Sequence, residues 1–104
     1  MEASNSKERI PVDAFMVVAT FKPETDMAHV FAVVAEEQAR VSVLEAEGKV
    51  GQIFLSLARG TVFIQAFAAH AEEARDTVLS LPMAQWWDLE LFPLGAPTAP
   101  EATS

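Results

Sequence analysis

The sequence of 104 residues contains no cysteine, which excludes disulfides, zinc–thiolate sites and thiol nucleophiles. Its two histidines, His29 and His70, are too few and too far apart to predict a metal site. Basic residues are also scarce, with seven Lys and Arg against fifteen Asp and Glu and a net charge of −8. Because such a surface repels phosphate backbones and anionic lipid, we expect neither nucleic-acid nor membrane-surface binding.

Long apolar runs are missing as well, and none approaches the roughly 20 residues that a membrane span needs. Residues 1–13 are polar and have no apolar centre, so no signal peptide is indicated and a cytoplasmic protein is expected. We interpret residues 1–13 as a flexible leader and residues 14–94 as a single domain. Residues 95–104 form a tail that either is disordered or docks on a neighbouring subunit.

The order of the predicted elements indicates the fold class. Strands are predicted where Val, Ile, Phe and Trp cluster, at residues 14–21, 52–57, 61–67 and 85–92. One helix is predicted from 27 to 47, between an Asp26 cap and a Gly48 stop, and another from 71 to 81, before Pro82. The order βαββαβ is typical of the ferredoxin-like α+β fold, a four-stranded antiparallel sheet with two helices on one face.

Alternation along the strands gives the sheet two unlike faces. One face is wholly apolar and belongs under the helices, and it includes Trp87. The other mixes aromatic and polar side chains, and we call it the open face: Met16, Val18, Thr20, Gln52, Phe54, Ser56, Phe63, Gln65, Phe67, Trp86, Asp88, Glu90 and Phe92. Four exposed Phe and one Trp would be a solubility hazard, so we predict that a second copy covers this face in a dimeric α/β barrel. The alternative is a monomer with a wet aromatic face.

A glutamate interrupts the apolar stripe of the first predicted helix. The stripe follows a 3–4 spacing and contains Met27, Val30, Val34, Val41 and Leu44. Glu37 occupies the position between Val34 and Val41. Burial there raises the pKa of a carboxyl group, as a general base working near neutral pH requires. The alternative is that Glu37 bends to the edge of the stripe and pairs with Arg40 or water.

The last third of the chain carries a motif that can be compared with known families. The run DTVLSLP at 76–82, followed by WWDLEL at 86–91, resembles the end of muconolactone isomerases, where D-T-L-x-x-L-P precedes an aromatic residue and D-I-E-V. The pair Glu47-Gly48, together with Phe15 and Thr20-x-Lys22-Pro23, is similar to the family too. The resemblance covers roughly residues 15–94. It implies a homodimer or higher oligomer such as a decamer, and an isomerase that moves a proton in an unsaturated lactone without metal or organic cofactor.

The resemblance also implies a candidate site. A catalytic glutamate of the family falls at Glu37. On the hypothesis of an isomerase, and not from the resemblance, Thr20, Lys22 or Gln52 is expected to help hold the substrate oxygen. Phe54 stands where the family has Trp, and alternation places Trp86 in the wall of the cavity or in the subunit contact.

The basic strand residues of the family, suited to a carboxylate-bearing substrate, are replaced in this chain. The corresponding positions hold Met16, Val18, Gly51, Gln52 and Leu55. A less charged and more apolar ligand than muconolactone is therefore expected.

Three functions remain open on these residues. The first is a cofactor-free isomerase with Glu37 as its base. The second is a non-catalytic ligand-binding or assembly protein, and the third is a small polyketide-type cyclase on the same fold. Asp88 and Glu90 lie about 7 Å apart on one strand face and are interpreted as a solvated rim or interface pair; the alternative is that the two carboxylates do acid/base work.

Overall fold

The computed structural model describes residues 13–95, and this part of the chain forms four strands and three α-helices. Strand β1 (Asp13–Phe21) is followed by helices α1 (Met27–Ala32) and α2 (Val34–Ala46). Strands β2 (Val50–Ser56) and β3 (Thr61–Ala68) form a hairpin, and α3 (Ala71–Leu79) leads to β4 (Trp87–Leu94). Short 3-10 helices at Leu57–Arg59 and Pro82–Trp86 precede β3 and β4.

The strands form one antiparallel sheet in the order β2-β3-β1-β4. Val17, in the middle of β1, pairs with Ile64 on β3 and Leu91 on β4, which fixes the register of the sheet centre. Strands β2 and β4 lie at the edges. This topology confirms the prediction of an α+β, ferredoxin-like fold.

The core lies between the sheet and the helices. Val17, Ala19 and Ile64 from the strands, with Leu44 and Val78 from the helices, are each at most 1% exposed. Burial alternates along β1, as expected for a strand with one face against helices. The packed side is the face that alternation assigns to the helices, and Trp87 lies in it at 4% exposure.

The first predicted helix is wrong in one respect, because it is interrupted at Val33. The backbone of Val33 leaves the helical region, at φ −109° and ψ 12°. Neither Pro nor Gly marks the break in the sequence. Val33 and Val34 are adjacent β-branched residues, which lose side-chain freedom inside a helix and so make this the weakest point of the segment. Val30 and Leu44 are both buried, so the apolar stripe continues across the break.

The second predicted helix is shorter than expected, and the strand after it starts later. Helix α3 ends at Leu79, and Pro82 opens a 3-10 turn that delays β4 to Trp87. A Pro at the first position of a helix has no N–H to satisfy, which favours this turn. Gly48 lies at φ 75° just after α2, in the left-handed conformation expected of a helix stop.

Residues 1–12 and 96–104 lie outside the described part of the chain. The leader and the docking tail therefore stay predictions. None of the helices within residues 13–95 combines the length and the apolarity that crossing a membrane requires.

Candidate active site

A cavity of about 650 Å³ lies between the sheet and the first two helices. Helices α1 and α2 contribute Val30 and Val41, and the sheet contributes Ile64 and Trp87 to its wall. The 3-10 turn before β4 adds Met83. Cavities of a few hundred Å³ with mostly apolar walls and few polar groups are typical of small-molecule sites.

Glu37 is the one ionisable side chain among the described residues that line this cavity. It projects from the first turn of α2 and is 9% exposed. Its Oε1 accepts a 2.9 Å hydrogen bond from the backbone N–H of Met83. Within residues 13–95 its Oε2 accepts none. One oxygen is thus anchored, and the other is left for a ligand.

The anchor follows from the local sequence around Pro82. The first N–H groups of a helical turn have no partner within the turn. Pro82 carries no N–H, and the N–H of Met83 is therefore the first donor of the 3-10 turn that has no carbonyl partner within the turn. Glu37 caps it from a different element, which fixes the carboxyl group at the place where α2 meets the turn.

Burial raises the pKa of Glu37 above its usual value, and the hydrogen bond from Met83 opposes part of that rise. No lysine or arginine of the described segment lies within ion-pair distance of this carboxylate. Arg40, the partner considered from the sequence, instead donates from Nε and a terminal nitrogen to Ser80 Oγ, at 3.3 and 3.2 Å. The pairing of Glu37 with Arg40 is therefore wrong, and no cation within residues 13–95 compensates the carboxyl group.

The mouth of the cavity is apolar and exposed. Phe31 on α1, Leu55 on the edge strand β2, and Leu57 just after it line the cavity with 67%, 59% and 82% of their surface exposed. The opening thus lies between α1 and the β2 edge of the sheet. A ligand that enters there contacts these apolar side chains before it reaches Glu37.

Trp87, whose side chain lines the cavity, carries a hydrogen-bond donor that is not used within the described residues. Its indole N–H is buried and has no hydrogen-bond partner within the described residues. The rings of Phe21 and Trp87 pack in an edge-to-face arrangement, with their centroids 6.0 Å apart and their planes at 71°. Buried donors in native proteins are nearly always paired, so an orphan in a cavity wall calls for a functional explanation.

The predicted oxygen-holding residues lie away from this cavity. Thr20 pairs with Thr61 and Asp88 near the strand ends, and Lys22 is exposed in the following loop. Gln52 is exposed at an irregularity of β2, where its backbone N–H donates to Gln65 Oε1.

The predicted wall residues also lie elsewhere: Phe54 pairs with Phe63, and neither Phe54 nor Trp86 lines the cavity. One chain thus does not bring Glu37 together with any of the five. For Thr20, Gln52 and Phe54 the physical reason is the alternation of strand side chains, since the helix side and the open face cannot share one pocket. Lys22 lies in the loop after β1, and Trp86 ends the 3-10 turn before β4. Their role in substrate binding on the open face stays a prediction.

The sequence predicted some of the groups that surround Glu37 and not others. Alternation assigned Trp87 to the core, and the same assignment places it on the helix side with Glu37. The sequence did not indicate that the backbone N–H of Met83 binds Glu37, because the 3-10 turn that positions it was not predicted. Phe31 lies outside the predicted apolar stripe of the first helix and nevertheless lines the cavity.

Comparison with known proteins adds one match. A family model described as muconolactone delta-isomerase matches residues 14–99, which is most of the chain. No curated protein matches the sequence.

Proposed function

We propose, from the premise that this chain belongs to the muconolactone delta-isomerase family, that it is a cofactor-free isomerase. It moves a proton, and with it a double bond, within a small unsaturated lactone or a related cyclic compound. The observation that supports this most strongly is Glu37. It is a single carboxyl group in an apolar cavity, with one oxygen held by Met83 and the other without a partner in the described chain.

The proposed reaction needs only one base. Glu37 Oε2 removes a proton from a carbon next to the ring carbonyl or conjugated with it. The electron pair of the broken C–H bond spreads over the C=C–C=O system and forms a dienolate. Glu37 then delivers a proton, exchanged with solvent in a part of the turnovers, to the other end of that system, so the double bond has shifted and the enzyme is unchanged. Such a base works best when its pKa lies near the working pH, and burial moves the pKa of Glu37 in that direction.

The dienolate oxygen requires a hydrogen-bond donor. We propose that the indole N–H of Trp87 supplies it, since this donor is unpaired in the described chain and its side chain lines the same cavity. The N–H is covered when no ligand is present, so binding must displace a neighbouring side chain. We propose that the displaced side chain is Phe21, which is half-buried and packs against the indole ring.

A non-catalytic ligand-binding protein is the second candidate. It is favoured by the cavity wall, which has no lysine or arginine among its described residues to stabilise an anionic intermediate. Such a protein would bind the same compounds and transfer no proton.

Deuterium incorporation from D₂O separates the two candidates. Neutral five-membered enol-lactones with alkyl or aryl substituents are incubated with the wild-type protein, with Glu37→Gln and with Glu36→Gln. Glu36 is the matched control, because it is the adjacent carboxylate and is exposed. We expect incorporation and double-bond migration with wild type and Glu36→Gln and neither with Glu37→Gln. Binding of these lactones without incorporation by the wild type would support the non-catalytic candidate instead.

The assembly that we propose is a homodimer or a higher homo-oligomer joined through the open face of the sheet. In the isolated chain, Phe54 and Phe92 on this face are 54% and 48% exposed. Val18 and Phe63, a register pair on the two central strands, are half-buried. Covering such a surface with a second copy removes aromatic area from water.

A further inference from the structure

The charged side chains that line the cavity limit the charge of the ligand that it can bind. Five of the seven Lys and Arg residues of the chain lie within residues 13–95. None of them lines the cavity: Lys22, Arg40, Lys49, Arg59 and Arg75. Arg40 is engaged with Ser80, and Lys49 lies 3.5 Å from Glu47. An anionic group inside the cavity would thus find no counter-charge in the described chain.

Among the described residues that line the cavity, only Glu37 can carry a charge, and that charge has the wrong sign for binding an anion. When Glu37 is ionised, a ligand carboxylate beside it suffers repulsion in surroundings that screen poorly. The carboxylate also loses its hydration against Val, Ile, Leu and Phe side chains without gaining a cationic partner among the described residues. The net charge of −8 adds repulsion during approach.

The remaining polar groups of the wall suit an uncharged oxygen. Gln38 and Ser42 lie along α2 and line the cavity. The indole N–H of Trp87 is a neutral donor as well. These groups can bond a carbonyl or ring oxygen and do not compensate a full negative charge.

We propose that the cavity selects an uncharged, largely apolar cyclic carbonyl compound and rejects the carboxylate-bearing analogue of the same ring. This inference deepens the proposed function, because it names the substrate class of the same site. The volume of about 650 Å³ and the exposed apolar mouth of Phe31, Leu55 and Leu57 favour a ring with a hydrocarbon substituent in the place of the acid.

A matched pair of probes tests the selection by binding alone. Coumarin is a neutral unsaturated lactone, and coumarin-3-carboxylate is the same ring with one negative charge. Equilibrium dialysis of the full chain at pH 8 measures both affinities. We expect coumarin to bind at least about 10-fold more tightly, a difference of ~1.4 kcal/mol. Equal affinities, a preference for the carboxylate, or failure of both probes to bind would overturn the proposal.

A charge introduced at the mouth sharpens the test. Leu55 lines the cavity and is largely exposed, so Leu55→Lys adds a cation there without burying it. Leu79→Lys is the control, since Leu79 is 50% exposed and lies outside the cavity. We expect Leu55→Lys to tighten carboxylate binding relative to coumarin binding and Leu79→Lys to leave the ratio unchanged. Equal responses of the two variants would show that overall charge, rather than the cavity, sets the preference, and would overturn the proposal.

Failure of this inference is distinguishable from failure of the proposed function. If the Glu37→Gln variant keeps the preference for coumarin while no lactone incorporates deuterium with the wild type, the selection stands and the catalytic proposal fails. If the wild type isomerises a carboxylate-bearing lactone faster than its neutral ester, the catalytic proposal stands and the selection fails.

Discussion

The backbone N–H of Met83 donates a 2.9 Å hydrogen bond to Glu37 Oε1, and thereby joins two residues 46 positions apart in the chain. Removing the acceptor should be more costly than neutralising it. Glu37→Ala leaves the Met83 N–H without its partner, and we expect a loss of ~1–3 kcal/mol in the free energy of unfolding. Glu37→Gln keeps an oxygen acceptor and removes the charge, so it should be at least as stable as wild type at pH 8. Urea denaturation of the three proteins measures both differences, and a Glu37→Gln variant as unstable as Glu37→Ala would contradict the assigned bond.

The effect of the Glu37 charge on stability should depend on pH in a defined direction. Burial holds the pKa of this carboxyl above its usual value of 4.5. As the pH rises past about 4.5, the unfolded chain releases the proton first, because the folded chain holds it more tightly. The wild type should therefore lose stability relative to Glu37→Gln from this pH upward, until the folded pKa is passed and the difference becomes constant. Denaturant titrations from pH 4 to 8 measure this, with the exposed Glu36→Gln as control. If the stability advantage of Glu37→Gln over the wild type shrank with rising pH, the pKa of Glu37 would be lowered in the folded chain, contrary to this prediction.

The indole N–H of Trp87 should matter for oxygen-bearing ligands alone. Trp87→Phe keeps an aromatic ring in the wall and removes the donor. We expect deuterium incorporation into a turned-over lactone to fall by roughly 10²-fold, the usual scale for one donor to a developing oxyanion. Affinity for naphthalene, which has the shape of coumarin without its oxygens, should change no more than the ring volume explains. Equal losses for naphthalene and coumarin would reduce Trp87 to a packing role.

The proposed dimer contact can be tested at the centre of the open face. Val18 on β1 pairs with Phe63 on β3, so Val18→Glu introduces a charge in the middle of that surface. We expect light scattering to give at least a dimer mass for the wild type and a lower mass for Val18→Glu. Leu79→Glu, on the exposed end of α3, should leave the mass unchanged. A wild type that is a clean monomer at micromolar concentration would refute the barrel.

The extent to which the sequence determined the fold differs from element to element. Strand alternation around Val17 and Ile64 predicted the buried face correctly, because a period of two leaves little freedom once one face is apolar. Gly48 at the end of α2 was predictable for a similar reason, since few other residues adopt its positive φ. The break at Val33 was not predictable, because the apolar stripe runs through it unchanged and neither Pro nor Gly announces it.

The candidate site was predictable only in its central residue. A carboxylate at an apolar stripe position has few explanations, and so Glu37 stood out from spacing as well as from resemblance. Its surroundings depend on a non-local contact, the approach of the turn at Met83 to α2, which no local pattern encodes. Thr20 and Gln52 were proposed as partners of Glu37 from chemistry alone, although their strand positions put them on the other side of the sheet.

In the proposed function, the base that moves the proton is Glu37, which is buried and has no compensating cation within residues 13–95. The most direct test is to follow the ¹³C resonance of the Glu37 carboxyl group as a function of pH, beside the pH dependence of deuterium incorporation under subsaturating lactone. We expect a titration midpoint above 4.5 for Glu37, and an incorporation rate that rises with the same midpoint. A Glu37 midpoint at or below 4.5, or a rate that rises independently of it, would contradict the account.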